Sequence, residues 1–272
     1  MIKTYGGSMK QHPAIEVEFK FFSTKIFDDV LWINFQKNLL IQSTSLENRD
    51  TLLAYLDKVA ACDFIKAIVI CSSLEESGHQ AYINFFQAIK SKQNNLGLQR
   101  LCNAYASFIL KIKELNKIII HTACGNVLPL FLNLSLVCDY RIAADNTVYK
   151  NSYLDMGVLP IGGGAYFLSK MIGPGKTWEL LALKKEYAAE EAMAYGIIDK
   201  IVPLNGFQPE VLRVAHQFGE VPGTTLSGLK RLIQFSTNDL KDYLEYENQE
   251  FFKIVHQHSY KQAVDPTTWT VL

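Results

Sequence analysis

Short apolar runs separated by helical segments constrain the fold of this chain more than any other feature. Ile65–Cys71 (IKAIVIC) and Ile118–Thr122 (IIIHT) are rich in β-branched residues and lack polar alternation, as expected for strands buried on both faces. Asp139–Ala143 (DYRIA) is predicted as a third strand. Helical patterns alternate with these strands, over Ser45–Ala61, Gln99–Leu115 and Leu128–Val137. This alternation predicts an α/β fold with parallel strand pairing.

The two ends of the chain differ in their predicted content. Upstream, Phe27–Phe35 (FDDVLWINF) is predicted as one strand. Beyond Pro203 the strand signal fades, and three helices are predicted, over Pro209–Phe218, Thr225–Phe235 and Leu240–Tyr260. We therefore predict an α/β core over residues 1–204 and a helical region over residues 205–272.

The composition is that of a globular protein without a strong electrostatic field. Hydrophobic residues make up 49% of the chain and charged residues 20%. Lys+Arg and Asp+Glu number 27 each, so no net charge attracts nucleic acid or an anionic membrane surface. Neither kind of partner is predicted.

The five cysteines indicate a reduced, cytoplasmic protein. Their number is odd, no two form a CxxC pair, and most lie in apolar runs, so a disulfide framework is not expected. No His/Cys cluster has the spacing of metal ligands. The first thirteen residues lack an apolar signal segment, and the longest apolar stretch, Val127–Cys138, is too short to cross a bilayer.

Four sequence blocks between Ile118 and Pro203 carry a family resemblance. They read IIIHTACG, LSLVCDYRIAADNTVYK, MGVLPIGGGAYFLSKMIG and ELLALKKEYAAEEAMAYGIIDKIVP. In order and spacing they resemble the crotonase (enoyl-CoA hydratase/isomerase) superfamily. The resemblance implies a spiral of ββα units followed by C-terminal helices for oligomerisation, and hence a homotrimer or a dimer of trimers.

The resemblance also implies an acyl thioester as ligand. Coenzyme A, or the phosphopantetheine of an acyl-carrier protein, would then be part of the substrate, and no separate cofactor is expected. Members of the superfamily stabilise an enolate-like oxyanion with two backbone N–H groups. The first corresponds to the stretch Glu76–Gln80, near His79, and the second to Leu130. Because Pro129 suits the first position of a helix, the Leu130 N–H is expected to be free at the helix start.

The acid and base positions of the superfamily carry other residues in this chain. The two hydratase glutamates correspond to Asn133 and Tyr153, and a carboxylate used by other branches corresponds to Ile161. Asn cannot take up a proton at neutral pH, and Tyr does so only if its pKa is strongly depressed. Hydration by two glutamates is therefore not predicted.

Several residues are candidates for replacing that chemistry, each with a structural alternative. His79 is either an acid/base group or a solvated loop histidine. Tyr153 either bonds a substrate carbonyl or packs with its hydroxyl satisfied. Asp155 either shares a face with Tyr153 or serves a turn, and Asn133 binds either ligand or backbone.

Two lysines are candidates for binding the carrier of the thioester. Lys90 and Lys92 either bind the phosphates of a nucleotide-tailed ligand or belong to a polar helix surface.

Two classes of function are compatible with these residues. The first function is that of a lyase, isomerase or decarboxylase acting on an acyl thioester. The alternative is a non-catalytic binding or assembly protein, and the sequence leaves both open.

Overall fold

A six-stranded sheet forms the centre of the computed structural model, which describes residues 15–36, 42, 44–71, 82–85 and 95–256. Its strands, in spatial order, are β1 (Phe22–Phe27), β2 (Val30–Phe35), β3 (Ala67–Cys71), β4 (Ile118–Ala123), β6 (Tyr140–Ala144) and β9 (Lys200–Val202). The first two strands pair antiparallel, and every later pair is parallel. The predicted α/β class and its parallel pairing are confirmed.

The prediction of one strand over Phe27–Phe35 is wrong. The chain turns at Asp28 and Asp29, and Phe27 pairs with Val30 across a tight hairpin. Asp28 has a φ of 52°, a left-handed conformation that Asp tolerates better than most residues. The apolar residues on both sides of the turn concealed it, because two short buried strands in succession resemble one longer strand.

A second, smaller sheet lies beside the first. In the described part of the chain it has three strands, ordered β5 (Asn126–Val127), β7 (Val148–Lys150) and β8 (Glu186–Ala188). β5 pairs parallel with β7, and β7 pairs antiparallel with β8. The stacked rings of Tyr149 and Tyr187, whose centroids are 5.4 Å apart, join the central strand β7 to β8.

Helices surround the sheets. In chain order they are α1 (Leu46–Ala60), α2 (Asn95–Glu114), α3 (Pro129–Val137), α4 (Ser152–Asp155), α5 (Gly164–Trp178, broken at Gly173), a π-helical turn (Glu179–Leu183), α6 (Ala189–Ala194), α7 (Phe207–Gly219), α8 (Gly223–Gln234), a 3-10 turn (Phe235–Thr237) and α9 (Leu240–Val255). The helices predicted downstream of Pro203 agree with α7, α8 and α9, although the last predicted residues lie outside the described chain.

The two faces of the large sheet pack against different helices. Ile33, Ile70 and Ile119 belong to a buried cluster with residues of α1, α2 and α3. Val69 and Ile120 face the other way and pack with residues of α7. Because side chains alternate along a strand, a sheet covered on both faces needs the continuous apolar runs seen in the sequence. Helix α3 is buried along its whole length.

A buried ion pair fastens α8 to the sheet. The Lys230 Nζ lies 2.7 Å from Asp139 Oδ2 and donates to the Lys117 carbonyl at 2.9 Å. The same Asp139 oxygen accepts a hydrogen bond from the Ile119 N–H at 2.8 Å. Such a pair is tolerated in the interior because further hydrogen bonds satisfy its members. The C-terminal helices are thus anchored directly on the core.

Candidate functional site

Helix α3 begins at a Pro-Leu-Phe turn in which one backbone donor has no partner among the described residues. Pro129 is the first helical residue, and the N–H groups of Phe131 and Leu132 both donate to the Leu128 carbonyl, at 3.0 and 3.1 Å. Within the described residues, the Leu130 N–H has no acceptor. The first turn of a helix carries partial positive charge from such unpaired N–H groups. The geometry therefore offers a donor where the sequence predicted one.

Tyr105 of α2 holds the carbonyl side of the same residue. Its hydroxyl donates to the Leu130 carbonyl oxygen, and its ring lies against Gly162. A Cβ at Gly162 would lie 2.1 Å from Tyr105 Cε1, so a side chain cannot be accommodated there without movement. Burial raises the pKa of Tyr105 well above its usual value of 10, so the hydroxyl remains a donor at neutral pH.

An apolar cavity of about 60 Å³ borders Leu130. Its walls come from the β1–β2 hairpin, α1, α2 and α3, and include Leu52, Leu101, Ala104, Phe108, Phe131 and Leu134. Polar groups of Asn48 and Arg49 also contribute to the lining. A space of this size holds about four to six waters or a short apolar chain. The bulk of Leu130 and Phe131 has not closed the space beside the turn.

Asn133 is engaged with the protein itself. It is buried, and its Nδ2 donates to the Ile161 carbonyl at 2.8 Å. Its Oδ1 lies against Gly164, where an added Cβ would be 2.6 Å away. The amide therefore fastens α3 to the turn that precedes α5. Positions 133 and 161, where the resemblance implies a hydratase glutamate and a carboxylate of other branches, are joined in this chain by a structural hydrogen bond.

Tyr153 and Asp155 are bound to the segment around the π-helical turn. The Tyr153 hydroxyl donates to the Leu181 carbonyl at 3.0 Å, and burial raises the pKa of this phenol above 10. Asp155 forms an ion pair with Lys185 at 3.1 Å. Both residues belong to the short helix α4. Tyr153 thus lacks the depressed pKa that a proton acceptor would need.

The structure brings four of these positions together. Leu130, Tyr153 and Ile161 pack in one buried cluster, which also contains Met156 and Phe251. Asn133 joins them through its bond to the Ile161 carbonyl. Asp155 forms its ion pair with Lys185, four residues after the Leu181 carbonyl that Tyr153 binds.

Comparison with known proteins identifies the chain. Residues 30–266 match the enoyl-CoA hydratase/isomerase family, which is most of the sequence. The chain belongs to the enoyl-CoA hydratase/isomerase family. The resemblance seen in the four sequence blocks is therefore confirmed.

Individual members of the enoyl-CoA hydratase/isomerase family support the assignment. A crotonyl-CoA hydratase from Syntrophomonas wolfei is 30% identical over 190 residues, 68% of this chain and 70% of that protein. The enoyl-CoA hydratase of Bacillus halodurans superposes with a TM-score of 0.77 at 22% identity, over 90% of this chain and 98% of the other. One from Mycobacterium avium subsp. paratuberculosis gives 0.68 at 17% identity, over 89% and 93%. The two structures establish the fold alone.

A buried carboxylate that the sequence did not single out lies beside the site of this family member. Glu247 of α9 is 6% exposed and accepts hydrogen bonds from the N–H groups of Gly162 (2.5 Å) and Gly163 (3.0 and 3.1 Å). Burial raises the pKa of Glu247 from 4.5 to about 7, although the two N–H groups lower it in part. A signal was present: Glu247 lies on the apolar stripe of Leu240, Leu244, Phe251 and Val255.

The remaining candidates fall outside the site or outside the described chain. His79, Lys90 and Lys92 lie outside the described residues, so their roles stay predictions. His121 is buried, and burial with the nearby Arg141 lowers its pKa to about 3, so it is neutral in the core. In the part of the chain that is described, no group of three or more His, Cys, Asp or Glu side chains could hold a metal ion. No helix there is long and apolar enough to span a membrane.

Proposed function

We propose that the protein binds an acyl thioester, with the Leu130 N–H donating to the thioester oxygen. The observation that supports this role is a backbone donor at the N-terminus of a buried helix that no described group accepts from, beside an apolar cavity. Negative charge developing on the oxygen is favoured at this end of a helix. In oxyanion-hole enzymes, one such donor contributes about 2.7–4 kcal/mol to the transition state.

The ligand is proposed to be carried on coenzyme A or on the phosphopantetheine of an acyl-carrier protein. The cavity beside Leu130 is lined largely by apolar side chains and suits a short acyl chain better than a charged group. Lys90 and Lys92 remain our candidates for the phosphates of the carrier. No separate cofactor is proposed, because the thioester itself supplies the reactive group.

The proposed reaction is not hydration by two carboxylates. Asn133 and Tyr153, at the positions that correspond to the two glutamates, each donate to a backbone carbonyl of the protein. A lyase, isomerase or decarboxylase needs the oxyanion donor and a single proton-transfer group. His79 remains a candidate for that group.

The same hydrogen bonds favour a second candidate, a non-catalytic binding or assembly protein. Asn133, Tyr153 and Asp155 all have partners inside the protein, which is the arrangement expected where side chains no longer serve chemistry. The two candidates differ in one observable property. An enzyme binds and turns over acyl-CoA, whereas an assembly protein binds it without turnover or does not bind it.

Calorimetric titration with acetyl-CoA and crotonyl-CoA, with free CoA as control, tests the proposal directly. We expect saturable binding that depends on the acyl group. We further expect Ala104→Leu to weaken crotonyl-CoA binding at least about tenfold, because the larger side chain fills the cavity that Ala104 lines. Its stability should be unchanged or raised by about 0.5–2 kcal/mol, as in other cavity-filling variants.

Ala106→Leu is the matched control for this variant. Ala106 lies on the same helix and is half-buried, but it is not part of the cavity lining. It should bind crotonyl-CoA like the wild type. If Ala104→Leu binds as tightly as Ala106→Leu, the cavity is not the acyl site. Failure of the wild type to bind any acyl-CoA would favour a carrier-protein substrate or the non-catalytic function.

We propose further that the protein is a homotrimer or a dimer of trimers, assembled through α8. Leu229, Leu232 and Ile233 form an exposed apolar strip on this helix, and Phe235 extends it. An exposed apolar patch of this kind is typical of an interface. We expect light scattering at micromolar concentration to give the mass of a trimer or hexamer, and Leu232→Glu with Ile233→Glu to give a monomer.

Arg231→Glu controls for the added charge. Arg231 directly precedes Leu232 on the same helix and is exposed, and its replacement by Glu lowers the net charge by the same two units. This variant should keep the wild-type mass. A monomeric wild type would contradict the proposal.

A further inference from the structure

Glu247 is a buried carboxylate with no cation beside it in the part of the chain that the structure describes. Among the described residues it forms no ion pair, and its oxygens are held by the N–H groups of Gly162 and Gly163. Both glycines have positive φ, 92° and 80°, which turns successive N–H groups toward one point at the start of α5. Burying an ionised carboxylate without a cation costs several kcal/mol. The hydrogen bonds from the two glycine N–H groups must offset this cost when Glu247 is ionised.

The turn that holds Glu247 is connected to Leu130 by a short path. The Tyr105 ring lies on Gly162, and the Tyr105 hydroxyl donates to the Leu130 carbonyl. From the opposite side, Asn133 bonds the Ile161 carbonyl. Movement of the 161–164 turn would therefore displace the first turn of α3, where the Leu130 N–H lies.

The groups that face Glu247 are uncharged near neutral pH. Cys102 and Tyr105 approach from α2, and Tyr243 lies one turn earlier on α9. Burial raises the pKa of each of them, that of Cys102 to about 12. The 161–164 turn contributes backbone N–H groups only. Glu247 is thus the group in this described cluster whose charge changes close to pH 7.

We propose that Glu247 is a positioning residue, which joins helix α9 to the 161–164 turn that supports the first turn of α3 and its Leu130 N–H, and does so best when its carboxyl group is neutral. The inference rests on the proposed thioester site. Neutral Glu247 keeps an acceptor for the glycine N–H groups without the cost of a buried charge. Ionisation adds that cost, so the joined arrangement loosens as the pH rises.

The direction of the pH effect follows from linkage. The pKa of Glu247 is about 7 in the folded protein, against 4.5 for an ordinary glutamate. Between these two pH values the folded state binds a proton that the opened state has lost. The stabilisation is complete below pH 4.5 and is lost as the pH rises through 7. For one group with these values, the opening equilibrium shifts about tenfold between pH 6 and pH 8.

Glu247→Gln separates these effects, because the amide oxygen can accept the same N–H groups but cannot ionise. Hydrogen exchange would be measured in peptides covering 129–137 and 161–168, at pH 6 and at pH 8. Comparing the variant with the wild type at the same pH cancels the intrinsic exchange rates. We expect the variant to be better protected than the wild type at both pH values, and the ratio of their protection factors to rise about tenfold from pH 6 to pH 8. The affinity of the wild type for crotonyl-CoA should fall by up to about tenfold from pH 6 to pH 8. The affinity of the variant should stay the same over this range.

Two further variants keep the proposal falsifiable. Glu250→Gln, whose partner Lys253 lies 2.5 Å away on the surface of the same helix, should retain the wild-type pH dependence. Tyr105→Phe keeps the ring on Gly162 but removes the bond to Leu130. It should retain the pH dependence in 161–168 and weaken it in 129–137, where the Asn133–Ile161 hydrogen bond remains, and it tests the path even if the Gln variant does not fold.

The outcomes distinguish this inference from the proposed function. If Glu247→Gln shows the wild-type pH dependence of exchange, Glu247 is not the positioning residue. If the dependence disappears as expected but no variant binds acyl-CoA at either pH, the positioning role holds and the thioester proposal fails.

Discussion

Gly162→Ala is expected to destabilise the folded protein by about 2–5 kcal/mol. Two costs add. The backbone of Gly162 has a φ of 92°, which costs an L-residue about 1–2 kcal/mol. The new Cβ would also lie 2.1 Å from Tyr105 Cε1 and 2.9 Å from Cζ, and relieving such overpacking costs about 1–3 kcal/mol. Urea denaturation followed by circular dichroism measures the sum.

Gly196→Ala isolates the first of these costs. Gly196 has a φ of 75°, and no described atom lies within 4 Å of the position its Cβ would take. We expect this control to lose only about 1–2 kcal/mol. In a Tyr105→Ala background the clash is absent, so Gly162→Ala should then cost about as much as Gly196→Ala. An unchanged cost in that background would show that Tyr105 is not what requires glycine at this position.

The fold was predictable because its signals are local and repeated. Ile65–Cys71 and Ile118–Thr122 place apolar side chains on both faces of a strand. Only a sheet covered on both sides buries such runs. Their order, together with the glycine-rich block, also indicated the family. The hairpin at Asp28 escaped because its two short strands share one apolar pattern.

The contacts of the candidate site were not predictable in the same way. Leu130 could be placed at a helix start, since Pro129 marks that position locally. The partners of Asn133 and Tyr153 are carbonyl groups 28 residues away in each case, and no periodicity relates such positions. Glu247 lies 84 or more residues from its glycine partners, although its place on an apolar stripe marked it as unusual.

Asn133→Asp is expected to convert a structural hydrogen bond into a pH-dependent repulsion. Above the pKa of the new carboxyl group, a buried negative charge would face the Ile161 carbonyl oxygen, which the Asn133 Nδ2 contacts at 2.8 Å in the wild type. An uncompensated charge at a buried site costs about 3–5 kcal/mol. Below that pKa the protonated carboxyl group can donate to the carbonyl and restore the bond.

The sign of this effect separates it from a simple loss of the amide. Burial and the facing carbonyl raise the folded-state pKa of the new Asp above its unfolded value. The free energy of unfolding of the variant is therefore highest at low pH, where the carboxyl group is protonated, and falls as the pH rises. Asn133→Ala loses the same bond, at a cost of about 1–3 kcal/mol, without a titrating group.

The two variants should therefore exchange order across the pH range. Relative to wild type at the same pH, which removes the contribution of Glu247, Asn133→Asp should be the more stable variant at pH 5 and the less stable at pH 8. Urea denaturation at pH 5, 6.5 and 8 measures both. If Asn133→Asp costs the same at every pH, its side chain reaches solvent, and residue 133 is available to a ligand. Position 133 would then regain its place among the candidates for chemistry, and the non-catalytic function would lose the observation that favours it most.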